Sequence, residues 1–175
     1  MSLQSLYSKP GHLIRRLQQI AVAIFVEETA EFGLTPVQYA ALIAIREHPD
    51  IDVTRLSALI AFDRSTLGNV VKRLQDKRWL TRRADRIDKR IKLLRITPAG
   101  RSLLIKIEPA VARAQRRMLA PLPKSERKRF AEQLAQLVEI NNIHSRAPMC
   151  MPQRARKNGA GNGQLKFFSS NPVPP

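Results

Sequence analysis

Between Asp63 and Gly100 the chain changes its hydrophobic period, and that change constrains the fold more than any other feature of the sequence. Leu67, Val70, Val71 and Leu74 recur at the i, i+3, i+4, i+7 spacing of a helix with one buried stripe, and Asp63 stands where a side-chain cap would open it. Ser65, Asn69 and Lys72 fall on the opposite face, with Arg64, Thr66 and Arg73 beside them. Beyond Trp79 the pattern changes to two strand-like runs, Leu80 to Ala84 and Ile91 to Thr97, joined by Asp85 to Arg90. The joining segment holds no Gly, which predicts a longer wing loop and not a two-residue turn. From Arg64 to Arg101 thirteen Lys or Arg stand against three Asp, a surplus of ten out of the chain's seventeen net positive charges. A basic helix followed by a basic hairpin is a shaped surface for an anionic partner.

The flanking segments read as helices. Leu13, Leu17, Ile20, Ala21 and Ile24 form one stripe from Pro10 to about Glu31, widened by Ile14 and Phe25. So broad an apolar face exceeds what a lone surface helix needs. Thr35-Pro36 restarts a helix that runs to about His48, before Pro49. Asp52 can cap a short third helix carrying Leu56, Leu59 and Ile60, and Ala61-Phe62 turns into the helix capped by Asp63, a helix-turn-helix. Thr97-Pro98 opens a fifth helix to about Leu119, and Phe130, Leu134, Leu137 and Ile140 line a sixth from about Ser125 to His144. The expected fold is mainly α with a small β-hairpin wing. Its divisions are an N-terminal dimerisation helix (1–34), a winged helix-turn-helix (35–100), C-terminal dimerisation helices (101–146) and a basic tail (147–175) whose composition predicts disorder.

Composition narrows the classes. No run of eighteen apolar residues and no signal-peptide zoning occur, so the sequence predicts a cytoplasmic protein without a membrane span. Cys150 is the only cysteine, and His12, His48 and His144 are scattered, which argues against a disulfide framework or a metal site. Cys150 sits between Pro148 and Pro152 with little to stabilise a thiolate, so it is not read as a redox trigger. There is no nucleophile elbow, P-loop, dinucleotide turn or paired carboxylate, hence no expected enzyme activity and no expected cofactor.

The helix order, with a wing of Asp88-Lys-Arg90 leading into Leu94-Arg-Ile96-Thr97-Pro-Ala-Gly100, closely resembles the MarR family of bacterial transcription regulators over about residues 10–145. The resemblance implies an obligate homodimer, built from the first and last two helices, that holds two winged domains over a pseudo-palindromic operator in double-stranded DNA. It implies a repressor released by a small-molecule effector. Tyr7-Ser-Lys-Pro-Gly-His12-Leu-Ile-Arg-Arg16-Leu with Leu34-Thr-Pro-Val-Gln-Tyr39 looks like the branch controlling aromatic-acid catabolism. That implies a small aromatic carboxylic acid, hydroxynicotinate-like or benzoate-type, or an aromatic acyl thioester.

Site residues follow from chemistry. Ser65, Thr66 and Asn69 can read base edges, although Ser65 and Thr66 could instead help to cap the helix. Lys72 and Arg73, with Arg86 and Lys89 at the wing tip, are expected on phosphates, and Arg64 beside them is a further candidate DNA contact. By the resemblance Arg90 enters the minor groove, oriented by Asp88 through a charge-assisted hydrogen bond; the alternative is a local surface ion pair. His12 and Arg16, four apart on one flank of the first helix with Gln19 beyond them, could hold an effector carboxylate that Tyr39 encloses. A structural salt bridge is the alternative there. A competing function is a sequence-indifferent nucleoid or RNA-binding protein.

Overall fold

The computed structural model describes residues 3–150. Among them the order is α1 (Leu3–Tyr7), α2 (Pro10–Glu28), α3 (Pro36–Glu47), β1 (Ile51–Asp52), α4 (Val53–Leu59), α5 (Arg64–Asp76), β2 (Leu80–Ala84), β3 (Lys92–Ile96), α6 (Pro98–Leu119) and α7 (Lys124–Ile140). Short 3-10 turns lie at Ala30–Phe32 and Asn142–His144. None of these helices is long and apolar enough to cross a membrane.

Local chemistry starts most of them. Thr35 and Gln38 form a reciprocal capping box at α3, Asp52 accepts from the Thr54 and Arg55 amides at α4, and Thr97 Oγ1 accepts from Gly100 at α6. α2 ends three residues earlier than its apolar period implies. The buried Thr29 hydroxyl donates back to the Phe25 carbonyl at 2.7 Å, and the chain then passes through Gly33 at φ 58°, a left-handed turn that glycine adopts without penalty.

Two elements were not expected. α1 precedes the first long helix, and β1 adds a third strand, giving an antiparallel sheet ordered β1-β3-β2. Ile51 pairs with Leu94, so the wing is rooted in the loop after α3 and is not a free hairpin. Within the wing Leu80 pairs with Ile96 and Ala84 with Lys92.

One core gathers the stripes. Leu42, Ile45, Leu56, Leu67, Val71, Leu74, Leu80, Leu94 and Ile107 are fully buried, each contributing about 1.5–3 kcal/mol of apolar transfer. Glu28 of α2 accepts from Arg113 and Arg117 of α6, and these guanidinium bonds hold its carboxyl below the ordinary carboxylate range. α7 buries none of its residues.

Most of the expected tail, residues 151–175, lies outside the described residues. Just before it, Met149 is bracketed by the Asn142 side chain, which donates to its carbonyl at 2.9 Å and accepts from its amide at 2.8 Å. The Cys150 amide donates to the Ala58 carbonyl of α4 at 2.9 Å.

Candidate nucleic-acid interface

α5 is built to present one face. Leu67, Val70, Val71 and Leu74 fasten it to the core, which leaves Arg64, Ser65, Thr66, Asn69, Lys72 and Arg73 exposed. The Asp63 carboxylate caps the helix by accepting from the amides of Ser65 at 2.8 Å and Thr66 at 3.3 Å, and it also accepts the Ser65 hydroxyl. Its carboxyl is held below the ordinary range, chiefly by that hydroxyl and then by the Thr66 and Ser65 amides. The hydroxyl proton of Ser65 is therefore committed to the cap, and its lone pairs remain for a donor on a base. Asn69 and Lys72 carry no side-chain hydrogen bond or ion pair among the described residues.

The wing tip is shaped by carboxylates. Asp85 accepts from the amides of Ile87 at 2.8 Å and Asp88 at 3.0 Å, while Asp88 accepts from the Arg90 amide at 2.9 Å. These side-chain turns do the work that glycine does in tighter loops. Asp88 thus meets Arg90 through the backbone and fixes where its side chain starts. Sequence reasoning missed Asp85, though an Asp opening a glycine-free loop was the available signal. It also missed Ile87, which is 97% exposed at the tip between Arg86 and Asp88.

A third missed residue sits at the wing root. Asp50, at φ 66°, donates its amide to the Leu94 carbonyl and its carboxylate pairs with Arg83 at 3.0 Å and with Arg95. The carboxyl is held below its ordinary range, Arg95 first and Arg83 next among the causes that lower it. Arg83 and Arg95 are therefore tied to the scaffold, whereas Arg82 stays exposed. Lys77 clamps the other end of α5: its Nζ donates to the Gly33 carbonyl at 2.8 Å and lies 4.6 Å from the centre of the Trp79 ring.

Between the start of α4, the first residue of α5 and the wing runs a cleft of about 560 Å³ lined by Asp52, Val53, Thr54, Arg55, Arg64, Arg90, Ile91 and Lys92. It brings Arg64 and Arg90 to one place although they are 26 positions apart. Four cations face it against one carboxylate, so it suits a phosphate backbone.

The effector flank is less concentrated. His12 lies 5.5 Å from the Tyr7 ring, and Arg16 donates to Gln19 at 3.3 Å. The Tyr39 ring lies 5.9 Å from Phe25 and its hydroxyl donates to Glu108 at 3.1 Å. Burial, and then the Glu108 charge, push that phenol up. At about 1.5 Å per residue, Phe25 is about 13 Å along α2 from Arg16, so a single chain does not bring Tyr39 to His12 and Arg16. A separate cleft of about 290 Å³ opens between α2, α3 and α6, lined by Gln18, Ala21, Val22, Phe25, Pro36, Ala114, Gln115 and Met118. Turning about 100° per residue, Arg16 points away from Gln18, Val22 and Phe25 and does not face this cleft.

A capped, cation-faced helix in a helix-turn-helix, followed by a basic wing paired to the same core, defines a winged-helix DNA-binding protein. The MarR family model matches residues 32–91. The chain is 32% identical over 124 residues to a putative transcriptional regulatory protein for the hcr operon of Thauera aromatica, covering 70% of this chain and 75% of that one. Among solved structures, PcaV of Streptomyces coelicolor in complex with its natural ligand shares 32% identity at a TM-score of 0.71, over 79% of this chain and 98% of that one. A Bordetella bronchiseptica structure concerned with regulation of DNA binding of BpsR by 6-hydroxynicotinic acid shares 28% identity at a TM-score of 0.70, over 76% and 95%. The chain belongs to the MarR family and is a DNA-binding transcriptional regulator.

Proposed function

We propose that this regulator is a homodimeric repressor that reads a pseudo-palindromic operator with α5 and the wing, and that a small aromatic carboxylic acid releases it. The observation that carries the DNA reading is the shared cleft of Arg64 and Arg90, beside a helix whose Asn69 and Lys72 are exposed and unengaged. In this reading α5 lies in a major groove with Ser65, Thr66 and Asn69 toward base edges. Arg64, Lys72, Arg73, Arg86 and Lys89 neutralise phosphates, and Arg90, placed by Asp88, enters the adjacent minor groove. Ile87 at the tip would rest on sugar edges.

Dimerisation is supported by what one chain leaves open. Leu13, Ile14 and Ile20 of α2 and Leu137, Val138 and Ile140 of α7 are all exposed, and these are the apolar stripes of the terminal helices. A second copy covers them and sets two α5 helices about one turn of DNA apart. The aromatic-acid reading is supported by the Bordetella bronchiseptica relative, whose structure concerns regulation of DNA binding by 6-hydroxynicotinic acid, and by an apolar cleft lying between α2 of the dimerising part and α3 of the winged part. His12 and Arg16 remain the proposed carboxylate anchor; they lie on the opposite side of α2 from this cleft, which is therefore the alternative place for the effector.

The test compares binding to the intergenic DNA upstream of the protein's own gene with binding to scrambled duplex at physiological salt. A preference on the order of 10³ supports a specific regulator, and equal binding favours a sequence-indifferent nucleic-acid binder. Asn69→Ala should cost about 1–3 kcal/mol on the operator and relax one base position per half-site, while Lys72→Ala should weaken all duplexes alike. Equal losses on both DNAs for Asn69→Ala would remove it from the base readers.

A further inference from the structure

After α7 the chain turns back through Asn142–His144 to the helix-turn-helix. The Cys150 amide donates to the Ala58 carbonyl at 2.9 Å, in the last turn of α4, where a helix has no donor of its own to offer. The Asn142 side chain donates to the Met149 carbonyl at 2.9 Å and accepts from the Met149 amide at 2.8 Å, which closes residues 142–149 into a loop. Ser145 braces the middle of that loop by accepting the Ala147 amide at 3.1 Å. Arg146 lies between these two residues, exposed and without a side-chain hydrogen bond or ion pair among the described residues. Ala58 is five residues before Asp63, so the loop is mounted on the helix that leads into α5. Arg146 is near enough to Asp63 for its charge to lower that carboxyl, after the larger shares of the Ser65 hydroxyl and of the Thr66 and Ser65 amides. We propose that Arg146, carried on the 142–149 loop, is a further DNA contact whose guanidinium binds a backbone phosphate of the duplex beside the start of α5.

The charges around the α5 cap favour this use. Asp63 is needed to start the helix, yet it puts an exposed carboxylate beside the residues that approach the phosphates. Its Oδ1 is occupied by donors of its own helix, the Ser65 and Thr66 amides and the Ser65 hydroxyl. Arg146 therefore neutralises this corner without being tied into the cap, and the planar guanidinium keeps the paired donors that match a phosphate. The loop holds it there before DNA arrives, so less side-chain and backbone freedom is lost on binding. Such a contact fixes register and adds affinity but carries no sequence information.

This inference rests on the reading that α5 and the wing bind duplex DNA, and the experiment separates the two. Affinity of the full chain for the upstream intergenic duplex and for a scrambled duplex is measured from 50 to 200 mM salt, for the parent and for Arg146→Ala. One phosphate contact contributes about 0.9 to the slope of log K against log salt, so the parent's advantage should shrink about threefold per half-site across that range, and alike on both duplexes. An unchanged slope, with Lys72→Ala still weakening both duplexes, overturns the Arg146 contact alone; no binding of either duplex by the parent overturns the DNA reading as well. The same comparison in an Asp63→Asn background, where Asn still caps the helix, tells a phosphate contact from mere neutralisation of Asp63. The loss of slope should persist there, and its disappearance overturns the proposal. Asn142→Ala keeps every charge but opens the loop, and should weaken both duplexes severalfold. Parent-like affinity in that variant overturns the loop as the mount for Arg146, and with it the proposal.

Discussion

Replacing Gly100 by Ala should damage this fold well beyond the size of one methyl group. A Cβ at that position would lie 2.2 Å from the Trp79 carbonyl oxygen and 2.8 Å from Ile96 Cγ1. Ordinary carbon contacts are about 3.5 Å or more, so α6 and the backbone before β2 must part by about 1 Å. The Trp79 carbonyl has nowhere convenient to go, because it accepts the Thr97 amide at 3.0 Å. Thr97 in turn caps α6 through the Gly100 amide at 3.0 Å and donates its hydroxyl to the Arg78 carbonyl at 2.8 Å. Overpacking costs about 1–3 kcal/mol, a lost backbone bond about 1, and a disturbed cap about 1, offset by about 1 from the better helix propensity of Ala. The net loss is about 2–4 kcal/mol. For a chain of this length that lowers Tm by about 5–15 °C. Because Trp79 leads into β2 and Ile96 ends β3, the same shift moves the wing root, and operator affinity should fall with stability. Thermal unfolding at fixed protein concentration measures it, with Gly68→Ala on the exposed face of α5 as control. Nothing lies within 4 Å of a Cβ there, so that variant should gain about 0.5–1 kcal/mol. A Gly100→Ala protein within 0.5 kcal/mol of the parent, on the order of an ordinary surface change, would refute the argument.

Asp50→Asn should destabilise at pH 7 by about 0.5–1.5 kcal/mol, since Arg83 and Arg95 are half exposed and each pair is worth at most about 1. A lowered folded pKa means this contribution is complete above the unfolded value of about 4 and lost as pH falls through the folded one, so urea titrations should show the gap to the parent closing below about pH 4. A gap that persists in acid would assign the loss to something other than the carboxylate charge. Val138→Glu with Ile140→Glu should convert the dimer to monomer in sedimentation and weaken operator binding by removing the second half-site; an unaltered mass would place the dimer contact elsewhere. Titrating 6-hydroxynicotinate and benzoate against the operator complex should release DNA with a coupling of about 1–3 kcal/mol. Arg16→Ala abolishing release supports the His12 and Arg16 anchor, whereas Val22→Phe abolishing it, with Arg16→Ala silent, moves the effector to the apolar cleft.

What was legible in the sequence follows the range of the interactions. Thr35, Asp52, Asp63 and Thr97 cap helices through amides two or three residues away, and all four were read from their neighbours alone. The buried stripe of α5 was equally local. β1 was not, because Ile51-Asp52 becomes a strand only through Leu94, and Asp52 serves the sheet and the α4 cap at once. Asp50 with Arg83 and Arg95, and Lys77 with Gly33, span 33 to 45 positions and carry no periodic signature. The effector flank shows the limit most clearly. Helical spacing put His12 and Arg16 on one side of α2, but which side of α2 meets α6 is decided by Phe25, Ala114 and the Glu28 ion pairs.

The same helix shows how a surplus in a local pattern can still carry information. α2 has more apolar side chains than one neighbour can cover: Phe25 is buried while Leu13 and Ile14 toward its start remain more than half exposed. If a single chain were the functional unit, those residues, like the exposed apolar face of α7, would be a solubility liability. Covered by a second chain, they become the element that fixes the distance between two α5 helices, and so the operator spacing. On this account the breadth of the α2 stripe bears on DNA recognition although none of its residues would touch DNA, and a change there should alter the preferred half-site spacing before it alters the bases preferred within a half-site.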